Sequence, residues 1–199
     1  MVAPRIGVLA LQGDFAAHAA SLERAGAKTS EVRWVRQLRG LDGLVLPGGE
    51  SSALLRLMRG SWFDSIREMR ARGAVLLGTC AGAILLARRV HPGQECLGLI
   101  DIDVARNAYG RQVDSFVADV EIDGAGRTPG VFIRAPRLTR VGPAVSVLGR
   151  LNGEPVMVRQ GQVIATSFHP ELTRSNAVAR IVVAATREKR GLAEVRCAS

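Results

Sequence analysis

The first part of the chain alternates short apolar runs with amphipathic segments. Apolar runs at Arg5–Leu11, Asp42–Pro47 and Ala74–Gly78 are typical of strands buried on both faces of a parallel sheet. Between the first two runs, apolar residues recur at helical spacing, with Asp14 as a candidate N-cap and Gly26 as a stop signal. Strands that alternate with helices in this way predict a parallel sheet covered by helices on both faces.

Later in the chain the pattern changes to short strand-like runs that are punctuated by Gly, Asn, Asp and Pro, which predict an antiparallel or mixed extension of the sheet. The other predicted elements are strands at Thr29–Val35, Leu97–Val104, Ser115–Ile122, Val131–Ile133, Val145–Leu151, Pro155–Arg159 and Val163–Ser167, and helices at Ser51–Met58, Trp62–Arg72, Ala81–Arg89 and Asn176–Lys189. No internal repeat or linker divides the chain, so residues 1–199 are interpreted as one domain. The predicted fold is a three-layer α/β sandwich, with a central, mostly parallel sheet flanked by helices and a small antiparallel extension.

The composition is that of a globular protein in a reducing compartment. With 199 residues, 47% of them hydrophobic, the chain can bury its own core without covalent crosslinks. Cys80, Cys96 and Cys197 are widely spaced, so neither a disulfide framework nor a zinc site is predicted. The sequence has no metal cluster, no Walker-type phosphate loop, no apolar run of about 18 residues and no signal peptide. We therefore expect a cytoplasmic location, with no metal, no cofactor and no membrane contact.

The net charge of +9 and the pI near 11.0 raise the hypothesis of a nucleic-acid-binding protein. Two features weaken this hypothesis. The positive charge is nearly all arginine scattered along the chain, and aromatic residues make up only 4%, which leaves no platform for stacking bases. The basic surface is therefore interpreted as solvated, or as complementary to an acidic protein partner, and no nucleic-acid contact is predicted.

The motif Gly78-Thr-Cys80-Ala-Gly82 lies between the most apolar strand and a predicted helix. This is the G-x-nucleophile-x-G pattern of a nucleophile elbow, in which the reactive residue occupies a sharp turn at the carboxyl end of a strand. The two glycines allow neighbouring backbone to pass close, and the amino terminus of the next helix favours a thiolate. On this motif alone, a buried structural cysteine is an equally good interpretation.

A base for such a thiol is offered by His169, which follows the apolar run at Val163–Ser167. Because residues i and i+2 of an extended segment share a face, Glu171 can lie beside His169 and orient its imidazole. Taken alone, this segment would be interpreted as a surface turn.

A third segment, Leu46-Pro-Gly-Gly-Glu-Ser51, ends another strand at the same edge of the sheet, where open α/β sheets bind ligands. The backbone N–H groups of Gly48 and Gly49, together with that of Ala81, are predicted to form an oxyanion hole. Ser51 or Ser52 is also a candidate cap for the helix that follows.

These three segments together resemble the class I glutamine amidotransferases, flavodoxin-like proteins whose triad runs Cys, His, Glu along the chain. The resemblance narrows to the glutaminase subunits of pyridoxal 5′-phosphate synthases, and it extends from about residue 5 to about residue 185. The stretches that carry this narrower resemblance are Leu9-Ala-Leu-Gln-Gly13, Gly48-Gly-Glu-Ser51, Arg106-Asn-Ala-Tyr-Gly-Arg-Gln112 and Val131-Phe-Ile-Arg-Ala-Pro136. Each motif is weak alone, but their order and spacing make coincidence improbable.

The resemblance implies hydrolysis of L-glutamine to L-glutamate and ammonia, with Cys80 as nucleophile, His169 as base and Glu171 as orienter. The ammonia would pass to a separate synthase subunit, a barrel enzyme that makes pyridoxal 5′-phosphate from ribose 5-phosphate and glyceraldehyde 3-phosphate. In this family the glutaminase is nearly inactive until the synthase docks. The glutamine-binding residues implied by the resemblance are Gly49, Glu50, Ser51, Arg106, Ile133 and Arg134. An arginine suits this role because a guanidinium can hold a carboxylate through two hydrogen bonds.

Three alternatives stay open. The chain could be another class I-type amidotransferase, or a peptidase or chaperone-like hydrolase of the same superfamily, which would share the triad. A basic nucleic-acid-binding protein could keep the triad as a relic. One stretch, Asp14-Phe-Ala-Ala-His18, departs from the family, which has a more charged sequence there and places this region near the synthase. His18 lies in the first predicted helix and is interpreted as facing solvent, with a contact to the partner as the alternative.

Overall fold

The structure is a computed structural model that describes residues 2–106 and 115–197. Its strands are β1 (Arg5–Leu9), β2 (Lys28–Val32), β3 (Gly43–Leu46), β4 (Val75–Thr79), β5 (Ala87–His91), β6 (Ile100–Ala105), β7 (Phe116–Ile122), β8 (Gly126–Phe132), β9 (Arg137–Val141), β10 (Ser146–Leu151), β11 (Glu154–Gln160) and β12 (Val163–Thr166). Its helices are α1 (Phe15–Arg24), α2 (Ser51–Leu57), α3 (Trp62–Ala71), α4 (Ala81–Leu86) and α5 (Ala177–Cys197). Short 3-10 turns lie at Val35–Leu38 and Pro170–Leu172.

The strands form a nine-stranded sheet in the order β2-β1-β3-β4-β12-β11-β10-β7-β8, and a separate three-stranded sheet in the order β5-β6-β9. Strands β2, β1, β3, β4 and β12 run parallel, whereas β11, β10, β7 and β8 pair antiparallel. The predicted fold class is therefore confirmed, and the antiparallel extension contributes four strands to the large sheet. Within the described part of the chain, no helix is long and apolar enough to cross a membrane.

Strands β3 and β4 lie within the parallel half and bury both of their faces. Leu44 and Leu76 point into one apolar cluster, which they share with residues of α2, α3 and α4. Val45 and Leu77 point into a second cluster on the opposite face, which is closed by α1 and α5. Burial on both faces explains why these strands are uninterrupted apolar runs rather than alternating ones.

The segment after the Cys80 motif departs from the prediction. The helix predicted at Ala81–Arg89 ends at Leu86, and residues 87–91 form β5 instead. The helix stops because the carbonyl groups of Leu85 and Leu86 accept hydrogen bonds from a later loop, at 2.7 and 2.9 Å. Ala87 and Val90 are the buried residues of β5, and this i, i+3 spacing fits a helix equally well, so the pattern could not distinguish the two.

Other departures are smaller. Strand β9 was not predicted, and α5 continues past Gly191 to Cys197 instead of ending near residue 189. The cap of α2 is neither Ser51 nor Ser52. It is Glu50, whose carboxylate accepts a hydrogen bond from the backbone N–H of Ser52 at 3.4 Å.

Candidate active site

The backbone at Cys80 forms a sharp turn between β4 and α4. Cys80 has φ 48° and ψ −102°, a combination that is costly for a residue with a side chain and that is concentrated at functional sites. The turn depends on close backbone packing, because a Cβ atom added at Gly82 would lie 1.9 Å from the carbonyl oxygen of Leu46. One added at Gly78 would lie 2.5 Å from the backbone of Gly82. The glycines of the motif therefore have the steric role that the elbow pattern predicts.

His169 and Glu171 follow β12, which is the parallel neighbour of β4. The backbone N–H of His169 donates to the carbonyl oxygen of Val131 at 2.8 Å, and the chain then enters the turn that begins at Pro170. Nδ1 of the His169 ring lies 2.8 Å from Oε1 of Glu171. This geometry brings together the two residues whose i, i+2 spacing was predicted to place them side by side.

The ionisation of the pair follows from its partners. Burial disfavours the charged form of His169, but hydrogen bonds and charge interactions with Cys80 and Glu171 outweigh burial and raise its pKa to about 10. Burial also disfavours the charged form of Glu171, yet the nearby His18 and His169 lower the pKa of this carboxyl to about 2. At neutral pH these shifts favour an imidazolium held between Cys80 and the Glu171 carboxylate.

A cavity of about 350 Å³ opens above Cys80. Its lining residues are Gly13, Asp14, Gly48, Gly49, Glu50, Ser51, Cys80, Ile84, Arg106, Ile133, Arg134, His169 and Leu172. The thiol of Cys80 also contacts the carbonyl oxygen of Ile133, with an S···O distance of 3.8 Å. The cavity lining thus includes all the site residues singled out in the sequence except Ala81, which follows Cys80 in the chain, and Glu171, which contacts His169. Their catalytic and binding roles stay predictions.

The two arginines of the cavity share one carboxylate. Arg134 lies 2.9 Å from Oε2 of Glu50, and Arg106 lies 3.3 Å from Oε1 of the same side chain. Burial opposes ionisation of Glu50, but hydrogen bonds from Ser52 and Arg134 and the charge of Arg134 together outweigh it and lower the pKa of its carboxyl below the usual value. Arg134 itself has φ 43°, which aims its side chain from a strained turn after β8. The motif residues 107–112 that follow Arg106 lie outside the described residues.

The Gly48-Gly49 segment packs directly on the His169 ring. A Cβ atom added at Gly48 would lie 2.2 Å from Cε1 of His169, so any side chain there would displace the imidazole. Gly49 has φ 137°, and Gln12 Oε1 accepts a hydrogen bond from the backbone N–H of Glu50 at 3.4 Å. Gln12 therefore holds this loop in place, a role that the sequence did not assign to it.

The interpretation of His18 as a solvent-facing residue is wrong. His18 is 3% exposed, and its Nε2 lies 3.1 Å from Oγ1 of Thr79 and 3.4 Å from Oε1 of Glu171. A signal was available, because Phe15, His18 and Leu22 have i, i+3, i+7 spacing on the buried stripe of α1.

The parallel sheet, the cysteine elbow and the adjoining His–Glu pair form the arrangement that defines the class I glutamine amidotransferases. A solved structure of a glutamine amidotransferase is 48% identical to this chain and superposes with a TM-score of 0.86. The match covers 91% of this chain and 98% of the other.

Residues 8–186 match the model of the SNO glutamine amidotransferase family, and the chain belongs to that family. It is 50% identical over 200 residues to the pyridoxal 5′-phosphate synthase subunit PdxT of Parafrankia sp., a match that covers 96% of this chain and 98% of the relative. It is 49% identical over 192 residues to the subunit of the same name from Deinococcus radiodurans, with 92% and 98% of the two chains covered.

Proposed function

We propose that the chain hydrolyses L-glutamine to L-glutamate and ammonia, as the glutaminase subunit of a pyridoxal 5′-phosphate synthase. The observation that carries the proposal is the buried cluster of Cys80, His169 and Glu171 at a cavity that also presents two arginines, with His169 Nδ1 2.8 Å from Glu171 Oε1. Membership of the SNO family, and relatives of about 50% identity that bear the name of this subunit, support the same assignment.

In the proposed reaction, the His169 imidazolium already holds the proton of Cys80, and the thiolate sulfur attacks the side-chain amide carbon of glutamine. The new S–C bond moves the carbonyl electron pair onto oxygen, which the N–H groups of Gly49 and Ala81 are proposed to stabilise. When the carbonyl re-forms, the C–N bond breaks and His169 returns its proton to the leaving ammonia. Water then hydrolyses the thioester: His169 takes the proton of the water, the C–S bond breaks, and glutamate leaves the Cys80 thiolate beside the His169 imidazolium. Glu171 keeps the imidazole oriented throughout.

Glu50, Arg106 and Arg134 form a charged rim of the cavity, which suits the α-amino and α-carboxylate groups of glutamine. In the structure, Arg106 and Arg134 share the single carboxylate of Glu50, which leaves the three side chains with a net positive charge. We propose that a bound glutamine takes over these contacts, with its α-carboxylate on a guanidinium and its α-ammonium on the Glu50 carboxylate. Backbone and hydroxyl groups of Gly49, Ser51 and Ile133 lie close enough in the cavity wall to complete the subsite.

The proposed partner is the synthase subunit, which receives the ammonia inside a hetero-oligomeric complex. The names of the relatives support a partner of this kind. An oxyanion hole that is completed only on docking would explain an inactive free subunit, and this gating stays a prediction, as does a cytoplasmic location.

The test is glutamate formation from glutamine by the purified chain, alone and with its synthase subunit at saturation. Activity that depends on the synthase and is lost in Cys80→Ala supports the proposal. Cys96→Ala is the matched control, because Cys96 contacts the carbonyl oxygen of Arg88 and does not line the cavity. Turnover that survives Cys80→Ala would show that the nucleophile is wrongly assigned.

A peptidase of the same superfamily is distinguished by a second measurement. Glutamine should protect Cys80 from alkylation if the cavity binds it through the arginines. A Cys80 that glutamine fails to protect, in the presence of the synthase, would favour the peptidase alternative.

A further inference from the structure

His18 has buried contacts that the mechanism above does not use. Its Nε2 approaches both Oγ1 of Thr79, at 3.1 Å, and Oε1 of Glu171, at 3.4 Å. Thr79 is fully buried and directly precedes Cys80. His18 therefore touches the segment that carries the nucleophile and also the carboxylate beside the proposed base, yet it does not line the cavity.

We propose that His18 is a positioning residue of this site, which keeps Glu171 ionised and aimed at His169 by donating a hydrogen bond from Nε2–H to the carboxylate. The inference rests on the proposed function, because it takes His169 to be the base for Cys80. It adds a fourth side chain, supplied by α1, to the three that the motifs contain.

The Glu171 carboxylate needs such a partner. It is 6% exposed, and its Oε2 atom has no hydrogen-bond partner among the described residues. Oε1 alone therefore meets both imidazoles, with His169 Nδ1 at 2.8 Å and His18 Nε2 at 3.4 Å. A buried carboxylate that is poorly solvated by donors tends to take up a proton, and a protonated Glu171 would no longer stabilise an imidazolium.

The electrostatic environment of Glu171 also indicates that His18 keeps its carboxylate ionised. Burial raises the pKa of Glu171, and the interaction with His18 is the largest of those that lower it. Without His18, the Glu171 carboxylate would be held by the His169 ring alone. The carboxylate and the imidazole could then rotate together, away from Cys80. The expected consequence is a weaker base for Cys80 rather than a weaker substrate site.

Helix α1 holds His18 firmly enough for this role. The helix is capped by Asp14, whose carboxylate accepts the backbone N–H of Ala17 at 3.1 Å. Farther along, the Arg24 side chain donates to Asn176, the residue just before α5, at 3.1 Å. A positioning group on an anchored helix can define geometry that a group on a loop could not.

Two variants of equal length separate hydrogen bonding from packing. His18→Gln keeps an N–H donor near the position of Nε2, whereas His18→Met fills similar space without a donor. Both are good helix formers, so α1 is preserved. With synthase at saturation, we expect His18→Met to lower kcat about 10- to 100-fold, as misplaced catalytic groups do, with KM within about twofold of the wild-type value. His18→Gln should recover most of that loss.

Alkylation of Cys80 in the isolated subunit gives a readout that needs no glutamine turnover. Mass spectrometry of the Cys80 peptide should show that His18→Met slows iodoacetamide labelling at neutral pH, because the imidazolium that favours the thiolate is less stable. His18→Gln should label close to the wild-type rate. If the wild-type complex does not turn over glutamine, the proposed function fails. The difference in labelling rate between wild type and His18→Met still tests the role of His18.

His91→Leu is the control, since His91 is an exposed histidine on β5, and it should leave kcat and labelling unchanged. If His18→Met does not fold, His18→Ala with added imidazole replaces it, and recovery of kcat or labelling by imidazole is expected. The proposal is overturned if folded His18→Met keeps wild-type kcat and labelling. It is also overturned if the Gln and Met variants lose activity equally, or if imidazole gives His18→Ala no recovery.

Discussion

The proposed triad and the charged rim of the same cavity satisfy their polar groups in different ways. Cys80, His169 and Glu171 are all buried, and a 2.8 Å contact between His169 Nδ1 and Glu171 Oε1 orients the imidazole. The rim is open by comparison, because the side chains of Glu50 and Arg134 are 40% and 38% exposed. Their charges are satisfied by each other, in a contact that a substrate would have to exchange.

This difference separates chemistry from recognition within one site. Groups that are already buried and aligned need no reorganisation when the reaction occurs. Electrostatic stabilisation of the transition state is strongest under these conditions. Groups on a solvated rim can exchange partners at small cost, because an exposed ion pair contributes little to stability. Changes in the triad should therefore act mainly on kcat, and changes in the rim mainly on KM.

The largest expected effect comes from Glu171→Gln. The amide occupies the same space but cannot stabilise an imidazolium, and it can favour the wrong tautomer of His169. Loss of this role should lower kcat by about 10³- to 10⁴-fold, as it does in related triads, with KM nearly unchanged. Steady-state kinetics of glutamate formation with synthase at saturation measure both constants.

Glu121→Gln provides the matched control, because Glu121 is exposed and pairs only with the exposed Arg127 among the contacts of the described chain. It should retain full activity. A rise in KM at constant kcat for Glu171→Gln would place Glu171 in substrate recognition and would break the contrast between triad and rim.

The same residue should make stability depend on pH in the acid range. The pKa of Glu171 is lowered from 4.5 to about 2 in the folded protein, so its contribution is present above pH 4.5 and is lost as the pH falls towards 2. Denaturant unfolding should show that the stability difference between wild type and Glu171→Gln shrinks by about 2 kcal/mol from pH 5 to pH 3. For Glu121→Gln the difference should stay nearly constant, and a Glu171→Gln difference that also stays constant would contradict the lowered pKa.

The sequence predicted the backbone of the site better than its supporting side chains. Cys80 and His169 were found because an elbow and a strand end require particular residues at short spacing. His18 and Gln12 were missed because their partners are distant in the chain, and only the packing of α1 and of the Gly49 loop brings them together. The spacing of His18 from Phe15 and Leu22 was available in the sequence, but a polar residue in a helix was interpreted as exposed.

The secondary structure also was predicted well where local patterns determine it and poorly where distant contacts do. Strands β3 and β4 were predicted nearly to the residue because burial on both faces leaves an unmistakable apolar run. Strand β5 was missed because it is short and because its two buried residues also fit a helix. Helix α4 ends where its last carbonyl groups accept hydrogen bonds from Leu97 and Leu99, which no local pattern of residues reveals.

The smallest expected effect tests the rim. Arg134→Met removes a guanidinium that lies 2.9 Å from Glu50 and that is proposed to bind the α-carboxylate of glutamine. A hydrogen bond to a charged group contributes roughly 1.5–3 kcal/mol, so KM should rise about 10- to 100-fold while kcat changes little. Arg134→Lys keeps the charge but loses the planar pair of donors, and its KM should be intermediate.

Arg127→Met removes an exposed arginine away from the cavity and should leave both constants unchanged. A fall in kcat without a rise in KM for Arg134→Met would mean that the rim positions the reacting atoms, and that chemistry and recognition are not separated in this site.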